Sequence, residues 1–536
     1  MSKCRITAVW AAAALFAGSA LAQDTDAMRS VNRAIEAMGG YKLANIRAVT
    51  IRGRNSSFEP QQSYRPDGDA IPGGDSSFVT TLDLVNGRAR TEWERHLTTP
   101  VARVYTFSEV VTPEAGYVKG IDSSGRTRQS RDSNPPQHTM SGQRLAVMLR
   151  ELQRSSPQLL FAMRADPLAL KTLPDAFAGG KRLTAVAYAS DETRFVVMFD
   201  QASGLPARIR TVDTDQAWGD IDFDLILSDW REVGGAQFAF HQIYTANERV
   251  VLHQTIDSIT LNPPLAKDLF DIPAPRRACA QPPATHDVEY QWIFRRMLAG
   301  GLLDTNELGF DPRMGGLRME ELAPGIQQVV GGNPNNLVVE MKDHVVVFDA
   351  PNNETHTAAT LAAVQAQYPD KPVKVLVLTH HHMDHANGTR GYAAAGAKII
   401  VGAGDGAYIR HMLDSPHNVR KDALARKSRA VEVVEVAGKL VLSDGTRTIE
   451  LFRIANGHAE GMLIAYIPDA KLGYVTDLWA PGRDTEFGSA RQRALVDAVE
   501  KAGIKPERFA GGHGAVASYP EFAEKVRAAK SPAAFQ

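Results

Sequence analysis

The sequence predicts an α+β protein with two domains, a mainly antiparallel β-sheet domain followed by a domain in which strands and helices alternate. Three observations predict this fold class. The chain has 536 residues, which is too long for one ordinary hydrophobic core. Apolar and polar residues alternate with a period of two through much of residues 26–274. From about Met319 onwards, short apolar runs typical of buried strands alternate with helical stretches.

The first 22 residues are typical of a cleavable secretory signal. Two basic residues precede an apolar run, and small residues stand around a cleavage site after Ala22. We therefore expect loss of residues 1–22 and a periplasmic or secreted protein. No further apolar stretch is long enough to cross a bilayer, so we expect no integral membrane segment in the mature chain. Cys279 is then the remaining cysteine, which excludes an intramolecular disulfide.

The hairpin pattern of an antiparallel sheet fills residues 26–274. One alternating run over 78–85 turns at Asn86-Gly87 and continues over 88–93, as a two-residue hairpin requires. A second pair of strands is predicted at 194–200 and 207–211. Helices are predicted over residues 28–38 and 142–152.

Several turns of this region resemble those of periplasmic lipoprotein-carrier domains, which are β half-barrels. The matching pieces include Ala37-Met-Gly-Gly40, Gly204-Leu-Pro206 and Leu269-Phe-Asp-Ile-Pro273. The resemblance implies an antiparallel β half-barrel over 26–274 with a lipophilic ligand in its cup. A structural or docking domain explains the same pattern and is the simpler interpretation.

A proline-rich boundary separates the two domains. Residues 275–318 are predicted to hold a linker and a connector helix over 288–298. The second domain is expected over 319–536. Buried strands are predicted at 345–349 and 373–378, with a helix over 355–367 between them.

The motif that indicates chemistry follows the strand at 373–378. Residues 380–385 read His-His-His-Met-Asp-His, which fits the spacing H-x-H-x-D-H. Alternation directs His380 and His382 to one side and His381 to the other. Three further residues follow strand-like runs, where loops at a sheet edge present ligands. The complete candidate set is His380, His382, Asp384, His385, His458, Asp477 and His513.

This series resembles the ligand set of the metallo-β-lactamase superfamily, whose fold is an αββα sandwich with its metal site at one edge of two sheets. The resemblance implies two Zn²⁺ per chain and an Asp349 side chain that braces the metal loop. A role in the turn alone explains Asp349 equally well. It places His380, His382 and His458 at the first zinc, Asp384, His385 and His513 at the second, and Asp477 between the two. Imidazole and carboxylate ligands suit zinc, although the sequence does not exclude iron or manganese.

The implied function is an exported zinc-dependent hydrolase with a dinuclear site. A metal-activated hydroxide would attack an ester, lactone, thioester or amide, with Asp384 as the catalytic residue that orients it. An aspartate at Asp477 resembles glyoxalase-II-like and lactonase-like members, whereas the commonest β-lactamases have a cysteine there. Oxygen-reducing diiron relatives have a glutamate at the position of His382, so hydrolysis is favoured over redox chemistry.

Two alternatives from other classes stay open. One is a carrier of a lipophilic ligand with a secondary metal domain, and the other is an iron-dependent redox enzyme on the same fold. The formal net charge of −1 shows no excess of basic residues for binding a nucleic acid, so the expected partner is a small-molecule substrate. His411 and His417 are expected on the solvated face of a polar helical segment over 405–429.

Overall fold

The computed structural model describes residues 24–98, 102–122, 136–189, 194–273, 289–290, 293, 316–483 and 486–529. The predicted signal at 1–22, and most of the predicted linker with its connector helix, lie outside these ranges. Within them, no helix is both long and apolar enough to span a membrane.

The N-terminal domain is a single antiparallel sheet of 14 strands with helices packed against it. Its helices are α1 (Thr25–Ala37), α2 (Tyr41–Ala44), α3 (Gly142–Arg154) and α4 (Gln158–Ala165). Its strands are β1 (Ala48–Glu59), β2 (Ile71–Asp83), β3 (Arg88–Leu97), β4 (Arg103–Val111), β5 (Gly116–Gly120), β6 (Gln137–Thr139), β7 (Leu170–Thr172), β8 (Ala176–Ala178), β9 (Lys181–Ala189), β10 (Arg194–Asp200), β11 (Pro206–Asp215), β12 (Gly219–Val233), β13 (Ala236–Ala246) and β14 (Arg249–Leu261).

The sheet is built from sequential hairpins joined by one long-range pairing. Its order is β6-β5-β4-β3-β2-β1-β14-β13-β12-β11-β10-β9-β7, with β8 also paired to β9. The predicted Asn86-Gly87 turn connects β2 to β3, and Gly87 adopts the positive φ of 61° that such turns need. Apolar faces of α1 and α4, including Val31, Ile35 and Met163, pack with sheet residues in one core. The predicted antiparallel sheet and both predicted helices, α1 and α3, are confirmed.

The C-terminal domain contains two further sheets. The first has seven strands in sequential order: β15 (Arg318–Ala323), β16 (Ile326–Val330), β17 (Asn336–Glu340), β18 (Val345–Phe348), β19 (Val373–Val377), β20 (Lys398–Gly402) and β21 (Val433–Val436). The second has six: β22 (Lys439–Ser443), β23 (Thr448–Arg453), β24 (Leu463–Ile467), β25 (Leu472–Val475), β26 (Arg508–Gly511) and β27 (Val516–Ser518). The helices are α5 (Glu354–Gln367), α6 (Met383–Ala386), α7 (Thr389–Ala395), α8 (Gly406–Asp414), α9 (Ala423–Arg426), α10 (Ala490–Ala502) and α11 (Tyr519–Ala528).

These elements form four layers, helix–sheet–sheet–helix. The inner faces of both sheets share one core, in which Val346 and Val377 pack with Leu463 and Tyr474. Helices α5, α7 and α8 cover the outer face of the first sheet. Helices α10 and α11 cover the outer face of the second. The predicted αββα sandwich is therefore confirmed, because each sheet is apolar on both faces and needs a helical layer outside it.

The two domains share apolar cores as well as polar contacts. Met383, in the middle of the predicted metal motif, is fully buried among Phe223 and Tyr244 of the N-terminal domain and Tyr290 of the segment between the domains. Ala217 of the N-terminal domain packs in the core beneath the first C-terminal sheet. The N-terminal domain therefore holds the motif directly.

The polar segment at 405–429 differs from its prediction. It forms two short helices, α8 and α9, because Ser415 precedes Pro416 and adopts an extended conformation, with ψ of 141°. The prediction of a solvated His417 is wrong: this side chain lies in the intervening turn and is 4% exposed. Its Nε2 lies 3.3 Å from the Ser415 hydroxyl. His411 is exposed, as expected.

We expect two buried histidines to make the fold acid-sensitive. Burial and then the charge of Arg390 lower the pKa of His417 to about 4, and burial lowers the pKa of His356 to about 3. Both titrate near pH 6.5 when unfolded, so the unfolded state binds protons more readily below that pH. Their stabilising effect is complete above about pH 6.5 and falls as the pH approaches the folded values. Between pH 7 and pH 5, the protein's free energy of unfolding should fall by about 2 kcal/mol for each of the two histidines.

Urea denaturation at the two pH values measures this loss. His417→Gln should reduce the difference between them, whereas His411→Gln, on the exposed face of α8, should leave it unchanged. Equal pH dependence in wild type and His417→Gln would contradict the assignment.

Candidate metal centre

The candidate ligands lie in loops at one edge of the two central sheets. The first group comes from the metal loop, residues 379–385, which follows β19 and enters α6. His458 follows β23, Asp477 follows β25 and His513 follows β26. Strands β18, β19 and β20 are parallel, so their carboxyl ends meet at the same edge. Sequence-distant donors are thereby brought to one place.

The first set of donors consists of His380, His382, His458 and Asp477. One ligand atom from each lies within 4.8 Å of all the others. The Nε2 atoms of His380 and His458 are 3.3 Å apart, and His458 Nε2 is 2.9 Å from Asp477 Oδ2. The three histidines are buried, with His380 and His382 fully inaccessible to solvent, and Asp477 is partly exposed.

The second set consists of Asp384, His385 and His513. Their donor atoms also lie within 4.8 Å of one another. The Nε2 atoms of His385 and His513 are 3.2 Å apart. Asp384 Oδ2 lies 3.6 Å from His385 Nε2 and 3.5 Å from His513 Nε2. The structure thus places all seven sequence-predicted ligands in two adjoining sets.

Asp477 contacts both sets. Its Oδ2 is 3.2 Å from His380 Nε2 and 3.2 Å from His385 Nε2, and its Oδ1 is 2.9 Å from His513 Nε2. The residue has a φ of 57°, in the left-handed region that aspartate tolerates better than most residues. A carboxylate here reaches toward both groups of imidazoles at once.

The unused nitrogens of the histidines have their own partners. His385 Nδ1 donates to Asp349 Oδ2 at 2.9 Å, and His513 Nδ1 donates to Asn333 Oδ1 at 2.9 Å. His382 Nε2 donates to the carbonyl of Ser63 at 3.0 Å. Such bonds fix the tautomer, so the other ring nitrogen carries a lone pair. In His382 that nitrogen, Nδ1, is buried and has no hydrogen-bond partner within the described residues.

Asp349 supports this arrangement through hydrogen bonds to the metal loop. It is fully buried and follows β18. Its Oδ1 accepts hydrogen bonds from the Thr379 backbone N–H at 2.7 Å and from the Thr379 hydroxyl at 2.9 Å. Together with the bond from His385, these contacts tie the metal loop to the end of the adjacent strand.

The carboxylates and imidazoles of the site shift one another's pKa values. Burial alone would raise the pKa of Asp477, but His513, His385 and His458 hold it well below its usual range. Burial lowers the pKa of His382 well below its usual value, which favours the neutral ring. Burial opposes protonation of His385, yet Asp384, Asp477 and Asp349 raise its pKa well above the usual value. Several carboxylates and lone-pair nitrogens facing one another fit divalent cations, which would neutralise them.

Some neighbours of the site carry no sequence signal. Gln62 and Ser63, in the turn between β1 and β2, contact Asp384 and His382 although more than 300 residues separate them. His381 points away from the donor sets, as alternation predicts, and its Nε2 also donates to the Ser63 carbonyl at 3.0 Å. A polar turn in a distant domain has no spacing or composition that could have indicated these contacts.

Comparison with known proteins agrees with this geometry. Residues 329–513 match the family model of the metallo-beta-lactamase superfamily. A stretch of 72 residues is 36% identical to a linear primary-alkylsulfatase from Pseudomonas sp. That stretch is 13% of this chain and 11% of the relative, so the chain matches about a tenth of the relative's length.

Solved structures similar to this chain include two metallo-beta-lactamases. One is from Pontibacter korlensis, with 17% identity, 39% of this chain and 97% of that chain covered, and a TM-score of 0.32. The other is the mono-zinc form of FIM-1 from Pseudomonas aeruginosa, with 18% identity, 39% and 93% coverage, and a TM-score of 0.29. On the family match, residues 329–513 form a domain of the metallo-β-lactamase superfamily.

Proposed function

We propose that this chain is a hydrolase that depends on two divalent metal ions, most simply zinc, held by the two donor sets. The observation that carries the proposal is the convergence of seven donors in two sets that Asp477 contacts together. Bound ions of this kind polarise the scissile group and lower the pKa of a water molecule to about 7. The buried Nδ1 of His382, which has no hydrogen-bond partner in the described part of the chain, supports a metal in the first set.

The residues of the chain have separable roles in this proposal. His380, His382 and His458 bind at the first set, Asp384, His385 and His513 bind at the second, and Asp477 contributes to both. The carboxylate of Asp384 also orients the attacking water and accepts its proton, because hydrogen bonds to an ionised carboxylate are strong and directional. Asp349 fixes the His385 ring so that Nε2 faces the second set.

The proposed substrates are esters, lactones, thioesters or amides, and the named alkylsulfatase relative adds sulfate esters. Arg483 favours an anionic member of this group. Burial lowers the pKa of its guanidinium, which the carboxylate of Asp477 partly offsets, so a cation lies within electrostatic range of the donor sets. A half-buried arginine that interacts electrostatically with Asp477 would attract a sulfate or carboxylate.

Turnover by zinc-loaded protein on a panel of substrates tests the function. The panel contains an alkyl sulfate, a lactone, an aryl ester, a thioester and a β-lactam. We expect hydrolysis of at least one, its loss after chelation and its return when zinc is added back. Arg483→Ala should raise KM for an anionic substrate about fivefold, since one charge pair is worth about 1 kcal/mol.

The matched control is Arg410→Ala, which removes an exposed arginine of α8 that pairs with Glu435 of β21. It should leave both KM and kcat unchanged. Metal analysis separates zinc from iron and thereby tests the redox alternative. Activity that survives complete removal of metal would refute the proposal.

One apolar cavity of the N-terminal domain is too small to hold a lipophilic ligand. An apolar cavity between the sheet and α4 has a volume of about 70 Å³. A cavity of about 150 Å³ is needed for a guest the size of benzene, so this one does not hold an acyl chain as it stands.

Export with cleavage after Ala22 remains part of the proposal. N-terminal sequencing of the exported protein tests it, since the first residue should then be Gln23.

A further inference from the structure

The turn between β1 and β2 of the N-terminal sheet lies against the metal loop. We call residues 60–70 the β1–β2 turn. Its Gln62 side chain and its Ser63 carbonyl contact Asp384 and His382, one member of each donor set. The turn therefore contacts both halves of the centre.

The Ser63 carbonyl determines which nitrogen of His382 is free. A carbonyl oxygen can only accept, so His382 Nε2, 3.0 Å away, must carry the proton. A neutral imidazole then has its lone pair on Nδ1. That atom is buried and has no hydrogen-bond partner within the ranges described above, so it is the His382 nitrogen left to serve the first donor set. Without the carbonyl, nothing in these contacts would distinguish the two tautomers.

Gln62 acts on Asp384 in a corresponding way. Its amide Nε2 donates to Asp384 Oδ1 at 2.8 Å. The other oxygen, Oδ2, is the one that faces His385 and His513. One hydrogen bond thus directs the second oxygen of the carboxylate into the second donor set.

The β1–β2 turn is itself held in place. Ser63 is 1% exposed, and its hydroxyl donates to the Asp69 carbonyl at 2.8 Å. The side chain of Gln61 donates to Asp215 Oδ1 at 3.0 Å. The Tyr64 carbonyl accepts from the backbone N–H of Glu460, two residues beyond His458, at 2.9 Å. These contacts give the turn a defined position over the centre.

Two other ligand histidines have their second ring nitrogen held by a residue of the C-terminal domain itself. Asp349 holds His385, and Asn333 holds His513. We propose that the β1–β2 turn is a positioning element of the metal centre, in which the Ser63 carbonyl sets the His382 tautomer and the Gln62 amide orients Asp384. The inference rests on the proposed function, because it assumes that the two donor sets bind metal. The N-terminal domain is then part of the active site.

Titration of the metal-free full chain with Co²⁺, followed by its visible spectrum, tests this role. We expect Gln62→Ala to weaken binding at one of two Co²⁺ sites by about 10- to 100-fold, as loss of an outer hydrogen bond to a ligand typically does. A variant with residues 61–68 replaced by Asn-Gly should weaken both sites and alter both sets of bands. Nitrogen-15 NMR of zinc-loaded wild type should show a protonated Nε2 on His382.

Gln254→Ala is the matched control. It removes a side-chain amide that donates to Gln242 at 2.9 Å within the same sheet. Its Co²⁺ affinities and spectrum should equal those of wild type. If wild type binds two Co²⁺ ions and Gln62→Ala binds them equally tightly with the same spectrum, the inference is wrong. A protonated Nδ1 on His382 would also overturn it. A wild-type chain that binds no Co²⁺ or Zn²⁺ would instead refute the proposed function.

Discussion

Asp477→Asn is expected to remove metal from both donor sets and to abolish turnover. The carboxylate contacts His380, His385 and His458 through Oδ2 and His513 through Oδ1. An asparagine keeps the shape and tolerates the φ of 57°, but it is neutral and presents an N–H₂ group toward one set of imidazoles. Because a metal centre supplies several kcal/mol of transition-state stabilisation, kcat/KM should fall by about 10³-fold or more.

Metal analysis of the purified variant and a kinetic assay on the substrate identified from the panel measure both effects. Asp229→Asn is the matched control, since Asp229 also has a positive φ, of 53°, and pairs with Arg231 in the N-terminal sheet. That variant should keep two metals and wild-type turnover. An Asp477→Asn protein with two bound metals and undiminished activity would remove Asp477 from the centre.

The parts of the site that the sequence predicts are those with local signals. The spacing from His380 to His385 and the strand-like runs before His458, Asp477 and His513 depend only on neighbouring residues. The same holds for the hairpin at Asn86-Gly87 and the alternation that marks β2 and β3. Periodicity and turn chemistry are short-range properties, so a single sequence shows them directly.

The parts that it does not predict depend on long-range packing. The pairing of β1 with β14 joins residues about 200 positions apart, as in Val49 with Leu261. The burial of His417 depends on a turn folding beneath α7, where Arg390 pairs with Asp422. The contact of Ser63 with His382 needs two domains to meet. None of these has a periodic pattern, because each depends on where distant segments arrive in three dimensions.

Asp349→Ala is expected to cause the largest loss of stability among single changes at the site. It leaves the Thr379 N–H, the Thr379 hydroxyl and His385 Nδ1 without their acceptor in a fully buried position. Each unsatisfied buried group costs about 1–3 kcal/mol. The φ of 62° adds strain for alanine of about 1 kcal/mol. Thermal unfolding of the metal-free chain should show a lowered Tm.

Asp349→Asn separates stability from metal binding. Its amide oxygen still accepts from Thr379, and asparagine tolerates the positive φ, so the metal-free Tm should fall less than in Asp349→Ala. Its N–H₂ group, however, faces His385 Nδ1 and favours the tautomer with the proton on Nε2, the atom that faces the second donor set. Zinc affinity of that set should therefore fall by about 10- to 100-fold while the first set keeps its metal. Unchanged zinc binding in Asp349→Asn would mean that Asp349 supports the fold alone, because a purely structural carboxylate would alter Tm without altering which nitrogen His385 presents.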